Sequence, residues 1–497
     1  MVEYRRLLDD GCPELDAARE VADRWPDDAV AQNCLGATLA GPLVDTTGGV
    51  GADAGWAEAE SRFRRAIDLA PRWAAPCSNL AGLLGMQGGA EQADALHRRA
   101  LVLGPADAAV HDAYGITLRW RGELDAAERH LRRALALDPG SPSAASTLAN
   151  ILLLRGEFEA AWRVHGRALP RRPRPARAAL WGGEELDGRE IFVHANDGLG
   201  DALMLARYAT LVAERGGHVI LGCPATLAGL LAGAAGVAEA VATDEEPVPR
   251  VGTYLPMSLL PYVFRTTPAT IPASVPYLRP DAGHARRWAA WLAEEGSELK
   301  VGLVWGGSRG NAHNWARSIP LAALAPLGRV PGVRYYALQQ GPPLAEARTP
   351  PAGLHLTILD RAIADYGDTA AIAAGLDLVI SVDSSPAHLA GALGRPVWLL
   401  TCAANDWFWG MSGDRTPWYP SMRLFRQATT GDWAPVVAQV ADALRRLAAS
   451  RALEPANLGV LPLCGLKGMD EHGAFVSWLP ERGATTQSPA ATQEVRA

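Results

Sequence analysis

A repeat with a fixed period of 34 residues runs through the first third of the chain and constrains its fold more than any other feature. Proline recurs at this spacing, and so do alanine in two registers, a small residue and a leucine. The members are Pro71, Pro105, Pro139 and Pro173; Ala59, Ala93, Ala127 and Ala161; Ala66, Ala100, Ala134 and Ala168; Ala81, Gly115 and Ala149; and Leu84, Leu118 and Leu152. Small residues allow helices to approach closely and proline ends a helix. The period therefore predicts pairs of antiparallel helices that stack into a solenoid.

The spacing and residue types resemble the tetratricopeptide repeat (TPR), and we assign residues 1–173 to this region. The interval from Pro26 to Pro71 is 45 residues, which is one period plus an insertion of 11 that we place within 41–55. Residues 1–26 are then expected to form an incomplete capping unit. Such repeats serve either as a plain helical scaffold or as a groove for a peptide, and the sequence leaves both interpretations open.

After the repeats, short β-rich runs alternate with amphipathic stretches, which is typical of parallel α/β units. Strands are predicted at 191–195, 218–223, 238–243, 300–305, 333–338, 355–359, 378–382 and 397–400. Because the pattern restarts after Gly296, we predict two Rossmann-like halves that face each other across a ligand-binding cleft. The predicted segments are a Pro/Arg-rich linker at 174–188, the halves at 189–297 and 298–450, and a loose tail at 451–497.

Composition and cysteine usage exclude several classes of function. Lys and Arg number 47 against 54 Asp and Glu, so the chain lacks the basic excess of a nucleic-acid binder. The six cysteines contain no C-x-x-C pair, and we expect neither a metal site nor a disulfide framework. The start of the chain lacks the apolar stretch of a signal peptide and no apolar run reaches ~18 residues. A cytoplasmic protein without a transmembrane segment is expected.

The first candidate site follows the strand predicted at 191–195. Its sequence is Asn196-Asp197-Gly198-Leu199-Gly200-Asp201, and it opens the next helix. Gly198 and Gly200 let the backbone approach a ligand, and the helix N-terminus offers N–H groups. Asp201 is either the cap of a tight strand-to-helix turn or, at the mouth of the cleft, a general base toward a hydroxyl group. Together with Asn196, the two glycines are candidate residues of an acceptor loop.

The second candidate site lies where a buried β-rich run enters a helix. Ser385 followed by proline predicts a helix with Ser385 as its N-cap, and His388 then lies in the first turn. Asp383 and Ser384 line the same edge, so the constellation suits a diphosphate bound at the helix N-terminus. The alternative is a capping serine beside a histidine that belongs to the core.

Two further features lie in the second half. The polar loop 306–320 carries Arg317 and Ser318, and Arg317 offers a charge-assisted fork for phosphate or else remains solvated. The other feature is an aromatic cluster, whose rings either stack on a base or sugar or, as we favour, pack a domain seam. Its members are Trp407, Phe408, Trp409, Trp418, Tyr419 and Trp433.

Together these motifs resemble the heptosyltransferases of glycosyltransferase family 9, which have the GT-B fold, and most closely bacterial proteins that join TPRs to such a domain. The residues that carry the resemblance are Gly198-Leu199-Gly200-Asp201 and Leu205-Ala206-Arg207-Tyr208; Val301-Gly302-Leu303-Val304-Trp305 and Arg317-Ser318-Ile319-Pro320; Asp383-Ser384-Ser385-Pro386-Ala387-His388; and Pro417-Trp418-Tyr419-Pro420. The fold class that follows is α plus α/β, a TPR solenoid before a GT-B fold.

The resemblance implies that the first half holds the acceptor and the second half the nucleotide sugar. It implies that Asp201 is the catalytic base and that Asp383 and His388 bind the donor near its diphosphate. Arg317 stands where heptosyltransferases commonly carry lysine, so the donor need not be an ADP-heptose. Members of the family work without a bound metal, and we expect neither a metal nor another cofactor.

The sequence thus predicts a glycosyltransferase that moves a sugar from a nucleotide sugar to an acceptor. We expect the repeats to select this acceptor, as a protein or peptide or else a glycan. Two alternatives stay open: a nucleotide-sugar epimerase or hydrolase with the same architecture, and a repeat-based interaction protein whose transferase half is inactive.

Overall fold

The computed structural model describes residues 2–9, 13–40, 51–166, 178–245, 247–272, 274–294, 296, 298–308, 314–359 and 363–453. The insertion predicted within 41–55 falls mainly outside these residues. So does the predicted tail at 451–497, apart from the end of the last helix. Among the described residues, no helix combines the length and the hydropathy that crossing a bilayer requires.

The first part of the chain consists of helices that pair in the predicted period. Their bounds are α1 Val2–Asp9, α2 Glu14–Arg24, α3 Ala29–Ala40, α4 Gly51–Leu69, α5 Ala74–Met86, α6 Ala90–Leu103, α7 Ala108–Trp120, α8 Leu124–Leu137, α9 Pro142–Leu154 and α10 Phe158–His165. A Cβ atom at Gly115 would lie 2.6 Å from Cγ of Leu131, so α7 and α8 pack at a distance that requires a very small residue. The prediction of stacked helix pairs is confirmed.

The first sheet contains parallel strands in the order β1-β5-β2-β3-β4. The strands are β1 Ala179–Leu180, β2 Glu190–His194, β3 His218–Cys223, β4 Glu239–Ala242 and β5 Thr253–Pro256, with helices α11 Leu199–Leu205, α12 Ala209–Glu214, α13 Ala225–Leu231 and α14 Leu260–Val263. Neither β1 nor β5 is among the strands predicted from the sequence. Because β1 lies within the stretch 174–188 predicted as a linker, part of that stretch belongs to the edge of this sheet.

The second sheet is also parallel, in the order β11-β10-β9-β6-β7-β8. Its strands are β6 Leu299–Val304, β7 Val333–Ala337, β8 Leu356–Ile358, β9 Leu378–Val382, β10 Val397–Thr401 and β11 Met422–Arg426. The helices around it are α15 Ala282–Glu294, α16 Asn314–Arg317, α17 Tyr366–Gly375, α18 Ser385–Ala392 and α19 Ala434–Leu453. Two parallel sheets therefore follow the helical region, as the sequence predicts, and β9 at the centre of the second sheet leads into α18.

The repeats pack against the first half through α10. Trp162 Nε1 donates a hydrogen bond to the carbonyl of Thr266 at 2.8 Å, and the ring of His165 stacks on Tyr262 with centroids 5.5 Å apart. Many buried side chains of α7–α10 belong to the same hydrophobic cluster as one face of the first sheet and as α18. The solenoid is therefore continuous with the core of the α/β region.

The repeats also contact the second half. Arg119 on α7 is 3% exposed, and its Nη2 donates to the carbonyl of Asn405 and to Oδ1 of Asp406, each at 3.1 Å. The ring of Trp162 meets Trp407 edge-on with centroids 5.9 Å apart. A buried guanidinium needs several acceptors to offset its desolvation, so this joint fixes α7 against the loop after β10.

Candidate active site

Asp201 lies in the first turn of α11, just beyond the carboxyl end of β2. The N–H of Gly198 donates a hydrogen bond to its Oδ2 at 3.2 Å, so Asp201 caps the helix start. Burial raises the pKa of Asp201 to about 6; the electrostatic effect of His388 opposes this rise and three neighbouring carboxylates add to it. A carboxyl group with such a pKa suits a general base near neutral pH.

The start of α18 differs by one residue from the sequence prediction, which made Ser385 the N-cap. The helix begins at Ser385, so Ser384 occupies the cap position. The Ser384 hydroxyl lies 3.0 Å from Oγ of Ser381 and donates to the carbonyl of Val382 at 3.2 Å, whereas the Ser385 hydroxyl bonds to that of Tyr366. The prediction was wrong because either of two adjacent serines can be an N-cap as far as the sequence shows. The contacts that each hydroxyl makes with neighbouring elements decide which serine takes the cap position.

His388 and Asp383 form a network with two aromatic side chains. His388 Nδ1 lies 3.0 Å from the Tyr419 hydroxyl, and its Nε2 lies 3.7 Å from Oδ1 of Asp383. Trp409 Nε1 donates to the other carboxylate oxygen at 2.9 Å. Burial alone would raise the pKa of Asp383, but its contacts with His388, Arg317 and Trp409 hold that pKa below the usual 3.8. Asp383 is therefore ionised, and both ring nitrogens of His388 are oriented.

Arg317 reaches the same strand end from α16. Its Nη1 donates to the carbonyl of Asp383 at 3.0 Å, while its buried Nε has no hydrogen-bond partner among the described residues. Ser318 Oγ accepts from the N–H of Gly307 at 3.1 Å and bonds to Oδ1 of Asn314 at 2.9 Å. Arg317 thus packs at the site through its Nη1, and Ser318 links Gly307 to Asn314 within the loop. Residues 309–313 of this loop lie outside the described residues.

The two candidate sites meet where α11 packs on α18. A Cβ atom on Gly200 would lie 2.9 Å from Cδ2 of His388 and 3.5 Å from Cα of Ser385. Only glycine permits this approach, which brings the helix carrying Asp201 against the helix carrying His388. Sequence reasoning assigned these residues to opposite halves; the structure adds that they lie within electrostatic reach of each other.

Asn196 holds the loop before α11. Its side-chain amide donates to Oγ of Ser258 at 2.9 Å, and its Oδ1 accepts from the backbone N–H of Ser258 at 3.2 Å. This bidentate pair joins the segments that follow β2 and β5. Asn196 therefore has a positioning role beside the candidate site, in addition to being exposed in the predicted acceptor loop.

The aromatic cluster packs mainly within the protein, as favoured from the sequence. Trp409, Trp418 and Tyr419 are at most 1% exposed. Trp433 belongs to a separate core cluster and donates to the carbonyl of Ser318 at 3.1 Å. The sequence did not reveal that Trp409 and Tyr419 hold Asp383 and His388. The signals for Tyr419 were its membership of the aromatic cluster and its place in the Pro-Trp-Tyr-Pro motif.

Asp201 opens into a pocket of about 160 Å³ at the junction of the repeats with both halves. The repeats supply one wall, the first half supplies the wall with Asp201, and the second half supplies two aromatic rings. The lining residues are Ser146, Asn150, Leu153, Trp162, His165, Asp197, Asp201, Leu205, Ser258, Pro261, Trp407 and Phe408. No pattern in the sequence indicated that α9 and α10 line the same pocket as Asp201.

Among the described residues, one group of side chains has the geometry to hold a metal ion, namely His284, Asp365 and Asp368. Asp368 already accepts hydrogen bonds from Arg287, from Trp288 Nε1 and from the N–H of Ala364. Most of its acceptor sites are thus used within the protein, and the group forms an ion-pair network between α15 and α17.

Comparison with family models gives two matches. Residues 77–208 match a model described as the middle TPR-like domain of cilia and flagella-associated protein 70, and residues 365–431 match glycosyltransferase family 9 (heptosyltransferase). The chain joins a TPR-like domain to a family 9 glycosyltransferase domain. The second match contains Asp383, Ser384, Ser385 and His388 and supports a glycosyltransferase, while the first extends past the repeats to include Asp201.

Individual proteins similar to the chain come from several bacteria. Protein FlbA of Caulobacter vibrioides is 31% identical over 299 residues, and the chain spans about half of its length, 48%, with 54% of its own. A family 9 glycosyltransferase structure from Veillonella parvula is 13% identical (TM-score 0.41), and the ADP-heptose LPS heptosyltransferase II of E. coli is 15% identical (TM-score 0.38). They cover 54% and 53% of the chain, and 100% and 99% of their own lengths.

Proposed function

We propose that the chain is a glycosyltransferase that moves a sugar from a nucleotide sugar to a hydroxyl group of a protein or peptide acceptor, without a metal ion. The observation that carries the proposal is the contact between α11 and α18. It sets a carboxyl group with a pKa of about 6 beside a helix N-terminus that carries the family 9 motif. A base and an anion site are the two groups that such a transfer needs.

Asp201 is proposed as the base. In the transfer, the acceptor oxygen forms a bond to the anomeric carbon as the bond from that carbon to the diphosphate oxygen breaks. The diphosphate leaves with the electron pair of the broken bond, and the acceptor proton passes to the Asp201 carboxylate. The pKa of about 6 supports this role because the group is ionised at neutral pH and still basic enough to take the proton.

The donor side is proposed to consist of Arg317, Ser318, Asp383 and the start of α18. Within the described part of the chain, the buried Nε of Arg317 has no hydrogen-bond partner, which supports a guanidinium that retains a donor for a phosphate oxygen. The positive end of the α18 dipole and His388 add to the stabilisation of the leaving diphosphate. Ser384 and Ser385 contribute through the backbone of the helix start, because their hydroxyl groups bond within the protein.

The acceptor is proposed to be a protein or peptide selected through the repeats. The TPR-like match and the position of α9 and α10 on the pocket of Asp201 support this assignment. An extended row of stacked helices suits a chain-like ligand. A role of the repeats as a plain scaffold does not require them to line the pocket of the candidate base, so the shared pocket favours a role in acceptor binding.

A panel of nucleotide sugars, screened by the shift in unfolding midpoint of the full chain, tests the proposal. A donor that binds the folded state raises the midpoint. Product analysis with that donor then separates the alternatives. A transferase releases nucleoside diphosphate and glycosylates an acceptor, and an epimerase returns an isomeric nucleotide sugar. A hydrolase releases nucleoside diphosphate and free sugar and glycosylates no acceptor. If no nucleotide sugar or nucleoside diphosphate raises the midpoint, the chain is an interaction protein and the proposal fails.

A further inference from the structure

Arg207 is a buried cation at the contact between the two halves of the α/β region. It lies between α11 and α12 in the first half and is 3% exposed. Its Nε donates a hydrogen bond to the carbonyl of Met204 at 2.9 Å, and its Nη1 donates to the carbonyl of Trp418 in the second half at 2.8 Å. A buried guanidinium needs acceptors that offset its desolvation. One of these acceptors is the backbone of the opposite half.

Three aromatic rings surround the guanidinium of Arg207. Its Cζ lies 4.5 Å from the ring centroid of Tyr277, 4.8 Å from that of Tyr419 and 5.4 Å from that of Trp418. Its Nη2 also donates to the Tyr277 hydroxyl at 3.1 Å, and that hydroxyl donates to the carbonyl of Leu203 at 3.0 Å. Aromatic rings at these distances attract a cation. Arg207 therefore holds Trp418 and Tyr419 both by a hydrogen bond and by cation–π contact.

Tyr419 links this cation to His388. A Cβ atom on Gly391 would lie 2.6 Å from Cδ1 of Tyr419, so the tyrosine ring packs on the backbone of α18. The Tyr419 hydroxyl lies 3.0 Å from Nδ1 of His388. Burial raises the pKa of Tyr419, so this hydroxyl keeps its proton at neutral pH. Contacts therefore run without a break from Arg207 in the first half to the ring of His388 on α18.

The surroundings of His388 favour one tautomer of its neutral ring. Nε2 lies 3.7 Å from Oδ1 of Asp383, a carboxylate whose pKa is low despite its burial. The negative charge stabilises a proton on Nε2 and repels a lone pair there. Nδ1 is then the acceptor for the Tyr419 hydroxyl.

We propose that Arg207 is a positioning residue for His388 and acts through Tyr419. The guanidinium fixes Trp418 and Tyr419 against the first half, and the Tyr419 hydroxyl donates to Nδ1 and so keeps the proton of the neutral ring on Nε2. A diphosphate oxygen can accept a hydrogen bond from Nε2–H but not from an unprotonated ring nitrogen. The inference rests on the proposed function, because it gives the first half a part in donor binding by the second half.

Calorimetry on the full chain tests whether these residues act through His388, with ADP, GDP, UDP, CDP and dTDP as probes. We expect Tyr419→Phe and Arg207→Lys each to weaken binding ~3- to 10-fold, the effect of about one hydrogen bond. Lysine keeps the charge of Arg207 but not its planar fork of donors. In a His388→Ala background the same two substitutions should change affinity by less than ~2-fold, because residues that act through His388 then have nothing to position.

Tyr335→Phe is the matched control. The Tyr335 hydroxyl is buried in a different core cluster and donates to the carbonyl of Leu327 at 2.7 Å. The variant therefore loses one buried hydrogen bond, as Tyr419→Phe does, but should bind nucleoside diphosphate within ~2-fold of the wild type.

Nitrogen NMR of the full chain with isotope-labelled histidine gives a readout that needs no nucleotide. The resonances of His388 are identified by their absence in His388→Ala. At pH 8 we expect the wild type to carry the proton on Nε2. Tyr419→Phe and Arg207→Lys should raise the population with the proton on Nδ1, and Tyr335→Phe should not. If Arg207→Lys does not fold, Tyr277→Phe, which removes one acceptor of the guanidinium, replaces it with the same expectations.

Three results overturn the inference. The first is a wild-type His388 with its proton on Nδ1, and the second is wild-type affinity in either Tyr419→Phe or Arg207→Lys. The third is equal weakening with and without His388, which would make the two residues merely structural. All three leave the transferase proposal standing. If no nucleoside diphosphate binds to the wild type, the proposed function fails and the inference fails with it.

Discussion

Replacing Asp201 by asparagine should make the protein more stable at neutral pH while it slows turnover by ~10²-fold or more. Asparagine has the same size, and its Oδ1 can still accept the hydrogen bond from the N–H of Gly198. The change removes a carboxylate that burial disfavours, since the pKa is raised from 3.8 to about 6 in the folded protein. The same burial that makes Asp201 a suitable base thus costs folding free energy whenever the group is ionised.

The size and the sign of the effect follow from this pKa. The folded protein binds the proton more tightly than the unfolded chain, so the stability that protonated Asp201 contributes is fully present below pH 3.8. It is lost as the pH rises through about 6. A rise of about two pKa units corresponds to at most ~3 kcal/mol of unfolding free energy above that pH. The asparagine variant escapes this loss, so its advantage grows from acidic to neutral pH and is then constant.

The assay is denaturant unfolding of wild type and variant across pH 4 to 8, combined with the rate of transfer at pH 8. We expect the variant to gain ~1–3 kcal/mol at pH 8, with a gain of less than ~1 kcal/mol at pH 4, and to lose ~10²-fold or more in rate. Asp432→Asn is the control, because that carboxyl is exposed in the turn before α19 and its loss should change little. A variant less stable than wild type at pH 8, or a stability difference independent of pH, refutes the reasoning.

Four further predictions concern the site and its supports. The kcat/KM of the wild type should fall about tenfold per pH unit below about 6, where Asp201 becomes protonated, and a flat profile to pH 5 would contradict its role as base. His388→Ala should weaken nucleoside diphosphate binding in calorimetry by ~10-fold with an unchanged circular dichroism spectrum, and equal affinity would place the diphosphate elsewhere. Gly200→Ala should lower stability by ~1–3 kcal/mol and reduce kcat, because its Cβ would meet His388 at 2.9 Å, whereas Gly229→Ala on α13, where a Cβ meets nothing within 4 Å, should be neutral or stabilising. Arg119→Met should cost ~1–3 kcal/mol in urea unfolding through lost hydrogen bonds to the loop after β10, and an unchanged midpoint would show that this joint adds no stability.

Some of the architecture follows from sequence periodicity alone. Helices α5, α7 and α9 begin at Ala74, Ala108 and Pro142, which repeats the 34-residue period of the sequence. The predicted strands coincide with β2–β4 and β6–β10 within a few residues. Periodicity succeeds here because it records which side of an element is buried, and that is a local property of each segment.

Three strands were beyond this kind of inference. β1 has two residues, β5 has four, and β11 follows a loop rich in Gly, Pro and Trp, so none shows a periodic pattern. Each joins its sheet beside a strand that already exists, for example β1 against β5. Pairing with a preformed edge stabilises such short segments, and a sequence does not record which edge is available.

The sequence by itself determined the candidate chemistry, because Asp201, Asp383 and His388 stand at strand-to-helix turns that local patterns mark. Only the tertiary structure decided that the turn with Gly200 packs against the helix start with His388, and that α9 lines the pocket of Asp201. It also decided the pKa of Asp201, which depends on water excluded by distant segments. Local patterns specify which chemical groups a turn carries. Desolvation of those groups and the contacts between them depend on segments far apart in the chain, so they arise only when these segments pack together.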